Sequence, residues 1–217
     1  IGAATNHPAL AAVAERLRTP AAAFIRSPAP RLDEVERARS AGQPERARAL
    51  LAEAAAAGDP RALRELADVC AELGDWPAAA AALTALATAA TEPPLHGHRK
   101  AEVLLELADV YYDRLSDLER ARATMRAAAD AHGPSARRDA TLRLLAAEAS
   151  AAEDHADAAA ALEAIAPDRR SAADVLALAT AWQRRGHDHR AIAVLEAVDA
   201  AARLTDEAAM LLFALHQ

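Results

Sequence analysis

The sequence predicts an all-α protein, a right-handed solenoid of about five stacked helix–turn–helix hairpins. Three observations carry that expectation. The first is composition: 217 residues include 67 alanines but only 7 glycines, and aromatic residues make up 3%. Abundant Ala, Leu, Arg and Glu favour helix, and little β-branched or aromatic material remains for a sheet. The second is an internal recurrence of an apolar helix, a short polar turn and an Ala-rich helix, which marks a stacked array rather than one closed core. The third is that apolar residues inside each copy fall at three- and four-residue steps, one face of a helix.

Taken in chain order, residues 1–27 stand outside the repeat frame and read as irregular N-terminal helices. Pro8 to Arg18 suits a short helix capped by Asn6 or His7, with Leu10, Val13 and Leu17 apolar, and a second holds Phe24 and Ile25. The repeat array is expected over 28–204. Its first and weakest copy, 28–60, has Val35, Ala38, Gly42, Ala47 and Leu51, and ends at Gly58–Asp59–Pro60. The clearest copy is 62–90. Leu63, Leu66, Ala67 and Cys70 form its first stripe, Gly74–Asp75 its turn, and Ala79, Leu83 and Leu86 its second stripe. The copy at 101–134 repeats the string LADV at Leu107 to Val110, against Leu66 to Val69, with one extra residue before its turn at Ser116–Asp117. Ala121, Met125 and Ala128 follow.

Next, 138–167 carries Leu145, Ala146 and Ala149, a turn at Glu153–Asp154, then Ala158, Leu162 and Ile165. The copy at 171–201 carries Leu178, Ala179 and Trp182, then Gly186, Ala191, Leu195 and Val198. Turns therefore fall at 42, 74, 116, 153 and 186, and the longest interval contains the Pro-rich stretch Thr91–Lys100. Residues 205–217 align with 171–183 at an offset of 34, so they read as a terminal helix, the first of a further hairpin. Phe213 falls where a small residue is expected. Leu211, Leu212 and Leu215 should face the preceding copy or a following helix.

These copies resemble tetratricopeptide repeats, whose period is about 34 residues, with a small residue in each helix and Pro at the end. The resemblance is carried by LA, GDW and Ala79 in 62–90, and by LA, Gly186 and Ala191 in 171–201. It departs at Cys70 and Ala149, where an aromatic is usual, and at Ser116 and Glu153, where glycine is usual. The small residues have a physical purpose, because helices approach closely only where side chains are short. Ala67 should meet Ala79, and Ala179 should meet Ala191.

The chain carries 25 basic and 32 acidic residues, a net charge of −7, with arginines dispersed among carboxylates. No basic stripe marks a nucleic-acid surface, so no nucleic-acid partner is expected. Lys100 is the single lysine and Asn6 the single asparagine, which predicts a GC-rich, bacterial coding genome. No apolar run reaches the roughly 18 residues of a membrane span, so no direct insertion is expected. A cytoplasmic rather than secreted location is expected, and Cys70 alone makes no disulfide framework. Ile1 in place of an initiator methionine predicts a fragment or a processed product of a parent protein.

Catalysis and metal binding are not expected. His96–Gly97–His98, in the inserted loop, and His187–Asp188–His189, in a hairpin turn, each lack a third ligand at a recognisable spacing. Cys70 sits at an inward position and reads as a buried structural thiol. Asp109 and Asp113 share a helical face, but such pairs are ordinarily solvated surface unless burial raises a pKa. The expectation is therefore no enzyme, no cofactor and no metal.

What remains is recognition of a protein or peptide. The resemblance implies that the first helices of the hairpins line a concave groove. Their outward residues are Arg61, Arg64, Asp68 and Glu72; Glu102, Asp109, Tyr112 and Asp113; Arg143 and Ser150; Thr180, Gln183 and Arg184. The Lys and Asn of the family's clamp for a C-terminal carboxylate are missing from these faces. An acidic centre with one exposed aromatic favours a basic or amphipathic segment, and makes the chain a scaffold within a larger protein or complex. A structural spacer binding through its edges or convex face, and a ligand-sensing regulatory repeat, stay open as alternatives. Self-association through the C-terminal helix is a further expectation.

Overall fold

The computed structural model describes residues 32–89, 97–199 and 204–217. The expected helices in 1–27, and His96 with most of the Pro-rich insert, lie outside the described residues. Eleven α-helices run in order among those described: α1 (Leu32–Ser40), α2 (Pro44–Ala56), α3 (Pro60–Glu72), α4 (Trp76–Thr88), α5 (Gly97–Asp109), α6 (Leu118–His132), α7 (Ala136–Ala151), α8 (His155–Glu163), α9 (Ala172–Arg184), α10 (Asp188–Asp199) and α11 (Asp206–Leu215). They pair as five consecutive hairpins followed by α11, each helix packing on its chain neighbours. Because α5 begins at Gly97, His98 belongs to a helix and not to the loop assigned from the sequence.

One device makes every hairpin turn. The residue at each expected position, 42, 74, 116, 153 and 186, has φ between 52° and 73°. The next residue then donates its N–H back to a carbonyl of the finished helix: Gln43 to Ala38, Asp75 to Cys70, Asp154 to Ala149 and His187 to Trp182, at 2.8–2.9 Å. That bond satisfies a carbonyl the helix end leaves without a partner. The same donor residue starts the following helix. Asp75, Asp117 and Asp154 each accept a backbone N–H from three residues ahead (Ala78, Arg120 and Asp157), a side-chain N-cap. Two of the left-handed residues, Ser116 (φ 52°) and Glu153 (φ 58°), carry side chains that disfavour this conformation.

The extra residue in the third hairpin is absorbed inside the helix. Val110–Arg114 forms a π-helical turn at the end of α5, with Leu115 N–H donating to the Val110 carbonyl. Asp117 therefore reaches back six residues, to the Tyr111 carbonyl at 2.8 Å, where the other turns reach back five. A single-residue insertion commonly appears as such a π-turn.

The core is built from short side chains. Ala67, Ala79, Ala179 and Ala191 are all buried, as helix crossings of this kind require. The largest cluster runs from the end of α5 to α11 around Leu145, Ile165, Leu178 and Leu195. Leu211, Leu212 and Leu215 pack against it from α11. Met210 and Phe213, on another face of α11, are 66% and 69% exposed. Cys70 is fully buried, and burial pushes its thiol pKa up.

Candidate groove along the first helices

The first helices of the hairpins, α1, α3, α5, α7 and α9, are joined by ion pairs across the hairpin boundaries. Arg39 of α1 reaches Glu65 at 3.1 Å and also pairs with Glu72 of α3. Arg64 of α3 pairs with Glu106 of α5 and stands 3.4 Å from Asp68. Glu102 of α5 meets Arg137 of α7 at 3.7 Å. All these groups are a third or more exposed, so each pair adds little to stability.

The α7–α9 boundary is different. Asp174 is buried, caps α9 through a box with Ser171, and takes a forked contact from Arg143 at 2.9–3.0 Å. Arg143 also donates to the Arg169 carbonyl at 3.1 Å, and Arg169 pairs with buried Asp139 at 2.7 Å. Burial alone would raise the Asp174 pKa, but bonds from Arg143 and Ser171 outweigh it and hold it below the usual carboxylate value. The connection after α8, which contains a 3-10 turn at Pro167–Arg169, is tied further. Arg138 donates to the Ala164 carbonyl and Arg170 to those of Leu162, Glu163 and Ile165.

This geometry sorts the residues expected to face a ligand. Arg64, Glu72, Glu102 and Arg143 are engaged in cross-helix pairs, and Asp68 pairs with Arg64 on its own helix. Arg61 is exposed and Gln183 half-buried. Asp109, Tyr112 and Asp113, at the end of α5, are exposed, and among the described residues neither aspartate has an ion pair. Partial desolvation pushes the Asp109 carboxyl up, followed by repulsion from Asp113 and Glu106. The Asp68 carboxyl is likewise pushed up, chiefly by burial, despite Arg64. Tyr112 is 45% exposed, and its interaction with Glu148 of α7 raises its phenol pKa. An acidic, half-aromatic surface thus spans the α5–α7 boundary.

Ser150, Thr180 and Arg184 come together further along. With Leu176, Ala173, Ala177 and Ala181 they line an open cavity of about 900 Å³ across α7, α9 and the start of α11. Its floor is small and apolar. Its rim carries Arg184, Glu153, Glu207 and His155. Among the described residues no group of three or more His, Cys, Asp or Glu could hold a metal, and no helix is long and apolar enough to cross a membrane.

Sequence reasoning missed two features: the burial of Asp139 and Asp174, and the stacking of arginines on aromatic rings. Arg114 lies 4.7 Å from the Trp76 ring centroid, and Arg185 and Arg190 lie over Trp182. The signal for Asp174 was available, since Ser171 three residues before an acidic side chain is a capping box.

No protein-family model matches the chain, nor does any curated protein. Among solved structures, the chain is similar to the nearly identical TPR-like repeats of a Podospora anserina kinesin light chain, at 21% identity over 77% of this chain and 91% of that one, with a TM-score of 0.42. A tetratricopeptide repeat protein of Parabacteroides merdae matches at 17% identity over 83% and 68% of the two chains, with a TM-score of 0.39. A thermophilic TPR protein of Thermus thermophilus matches at 21% identity over 86% and 97%, with a TM-score of 0.35. The sequential hairpins, their left-handed turns and the buried alanines at the helix crossings give the chain a tetratricopeptide-like helical repeat fold.

Proposed function

We propose that the chain is a non-catalytic protein-interaction scaffold, which takes a basic, amphipathic segment along the first-helix groove. The observation that carries this reading is the state of Asp109 and Asp113. Glu65, Asp68, Glu72, Glu102 and Glu106 on the same helices are all paired with arginines, whereas this aspartate pair has none. Asp109, partly desolvated and repelled by Asp113, is held against its own preference, and a ligand cation relieves it. Tyr112 beside the pair offers a ring face to the same cation. The apolar floor at Leu176 and Ala177, two first helices further along, suits the non-polar side of such a segment. Two chains are expected to pair through Met210 and Phe213 of α11.

Titrating an amphipathic Lys/Arg-rich peptide against the chain tests the groove. Asp109→Asn with Asp113→Asn should weaken binding at least about tenfold, a loss of about 1.4 kcal/mol, and flatten its salt dependence. Equal affinity in parent and double variant would remove the groove reading. It would also favour binding through an edge or the convex face.

A further inference from the structure

The turn of the fifth hairpin carries chemistry that the groove does not use. Trp182 is 4% exposed, and its indole Nε1 has no hydrogen-bond partner. Two guanidinium groups lie over its ring, Arg185 at 4.6 Å and Arg190 at 4.4 Å from the centroid. His187 meets the same ring edge-on at 5.5 Å, and His189 stands 6.0 Å from His187. Both arginines are exposed, and among the described residues neither has a carboxylate partner. Six arginines elsewhere in the chain are used differently. Arg39, Arg48, Arg64, Arg122, Arg126 and Arg143 all reach across hairpins to end on carboxylates.

Sharing one ring places the two guanidinium carbons within about 9 Å of each other, as their distances to its centroid require. At that spacing like charges repel, and the attraction of each cation to the ring holds them in place. Stacking also spares ordering cost on binding, because a guanidinium held at a ring still presents a rigid fork of N–H donors. One carboxylate, or two on adjacent turns of a segment, spans the gap and accepts from both forks. Asp188 is the single acidic residue between Arg185 and Arg190, so the turn is a locally positive point on a chain of net charge −7. Nucleic acid is a poorer match, since phosphate backbones bind along extended stripes of cations, and none continues from here.

We infer that this turn is a recognition site for an acidic segment of a partner protein, with its carboxylates seated between Arg185 and Arg190. The site is separate from the first-helix groove and binds the opposite charge.

The full chain carrying Trp76→Phe, which leaves Trp182 as its single indole, provides the readout. Titration with an Asp/Glu-rich peptide should shift the Trp182 indole N–H resonance, and a Lys-rich peptide should leave it in place. Arg185→Gln with Arg190→Gln should weaken acidic-peptide binding at least about tenfold. Arg185→Lys with Arg190→Lys, keeping charge but losing the fork, should fall between the two. Asp109→Asn with Asp113→Asn should leave this binding unchanged, which separates it from the groove. A silent Trp182 resonance overturns the inference, as does a nucleic acid that binds where the peptide does not. Should the Gln pair unfold, the Lys pair decides, and parental affinity there overturns it.

Discussion

Two boundaries between successive hairpins use the same kinds of residue to opposite effect. At α3–α5, Arg64 and Glu106 meet in the open, each about two-fifths exposed. At α7–α9, Arg143 meets an Asp174 side chain that is 7% exposed and already accepts the Ser171 backbone N–H, while the Asp174 N–H donates to the Ser171 hydroxyl. The first pair sits in high dielectric and pays for its own ordering with little left over, whereas the second leaves the buried Asp174 charge behind if Arg143 is removed. Ion pairs cannot be counted as equals along this array. Their burial decides whether they tie hairpins together or merely decorate the surface.

The largest test of that contrast is Arg143→Ala. It strands the buried Asp174 carboxylate without its guanidinium, and should cost about 3–5 kcal/mol in urea unfolding. A loss below about 1 kcal/mol would place the two boundaries in the same class. Acid provides the second test, with opposite signs in the two halves. Asp174 has a depressed folded pKa, so its stabilisation is complete above the ordinary value of 3.8 and fades as pH falls through the lower folded value. Asp68 and Asp109 have raised folded pKa values, so their ionisation opposes folding, and acidification from neutral toward 3.8 relieves them. Hydrogen exchange from pH 7 down to about 3 should first show α3 and α5 gaining protection, then α7 and α9 losing it.

Ser116→Gly, in the hairpin between the two boundaries, sharpens the comparison from outside. It removes the cost of a side chain at φ 52° and should stabilise by about 1 kcal/mol. The difference between the two boundaries should stay the same. The smallest effect belongs to Glu106→Gln, expected to change the unfolding free energy by less than about 1 kcal/mol and to shrink further with added salt. A larger loss would mean that the α3–α5 pair is not the weak member.

Much of this architecture is legible in the residue order, and the reason is local. A turn of this kind needs one residue in left-handed backbone followed by a capping side chain, and Gly74–Asp75, Ser116–Asp117 and Glu153–Asp154 announce themselves within two positions. Even the extra residue before Ser116 could be counted by aligning the two LADV strings, although not the π-turn that houses it. The groove was harder to read, because a residue's face on a helix does not say what reaches it from the next hairpin. Arg143 occupies an outward position, yet its guanidinium is consumed by Asp174, 31 residues away. Asp109 and Asp113 have no arginine partner on any element among the described residues, whereas Asp68 has Arg64 one turn back on its own helix.

The π-turn at Val110–Arg114 has a consequence for how such arrays change over time. A solenoid ordinarily punishes a one-residue insertion, since every later helix would rotate by about 100° relative to its neighbour. Here the widened turn discharges the extra residue before Asp117, and α6 starts with its stripe of Ala121, Met125 and Ala128 still turned inward. The rotation is confined to Tyr111–Arg114. Length variation has therefore been converted into novelty at a single surface point, the one that presents Tyr112 and Asp113, while the scaffold on either side keeps its phase.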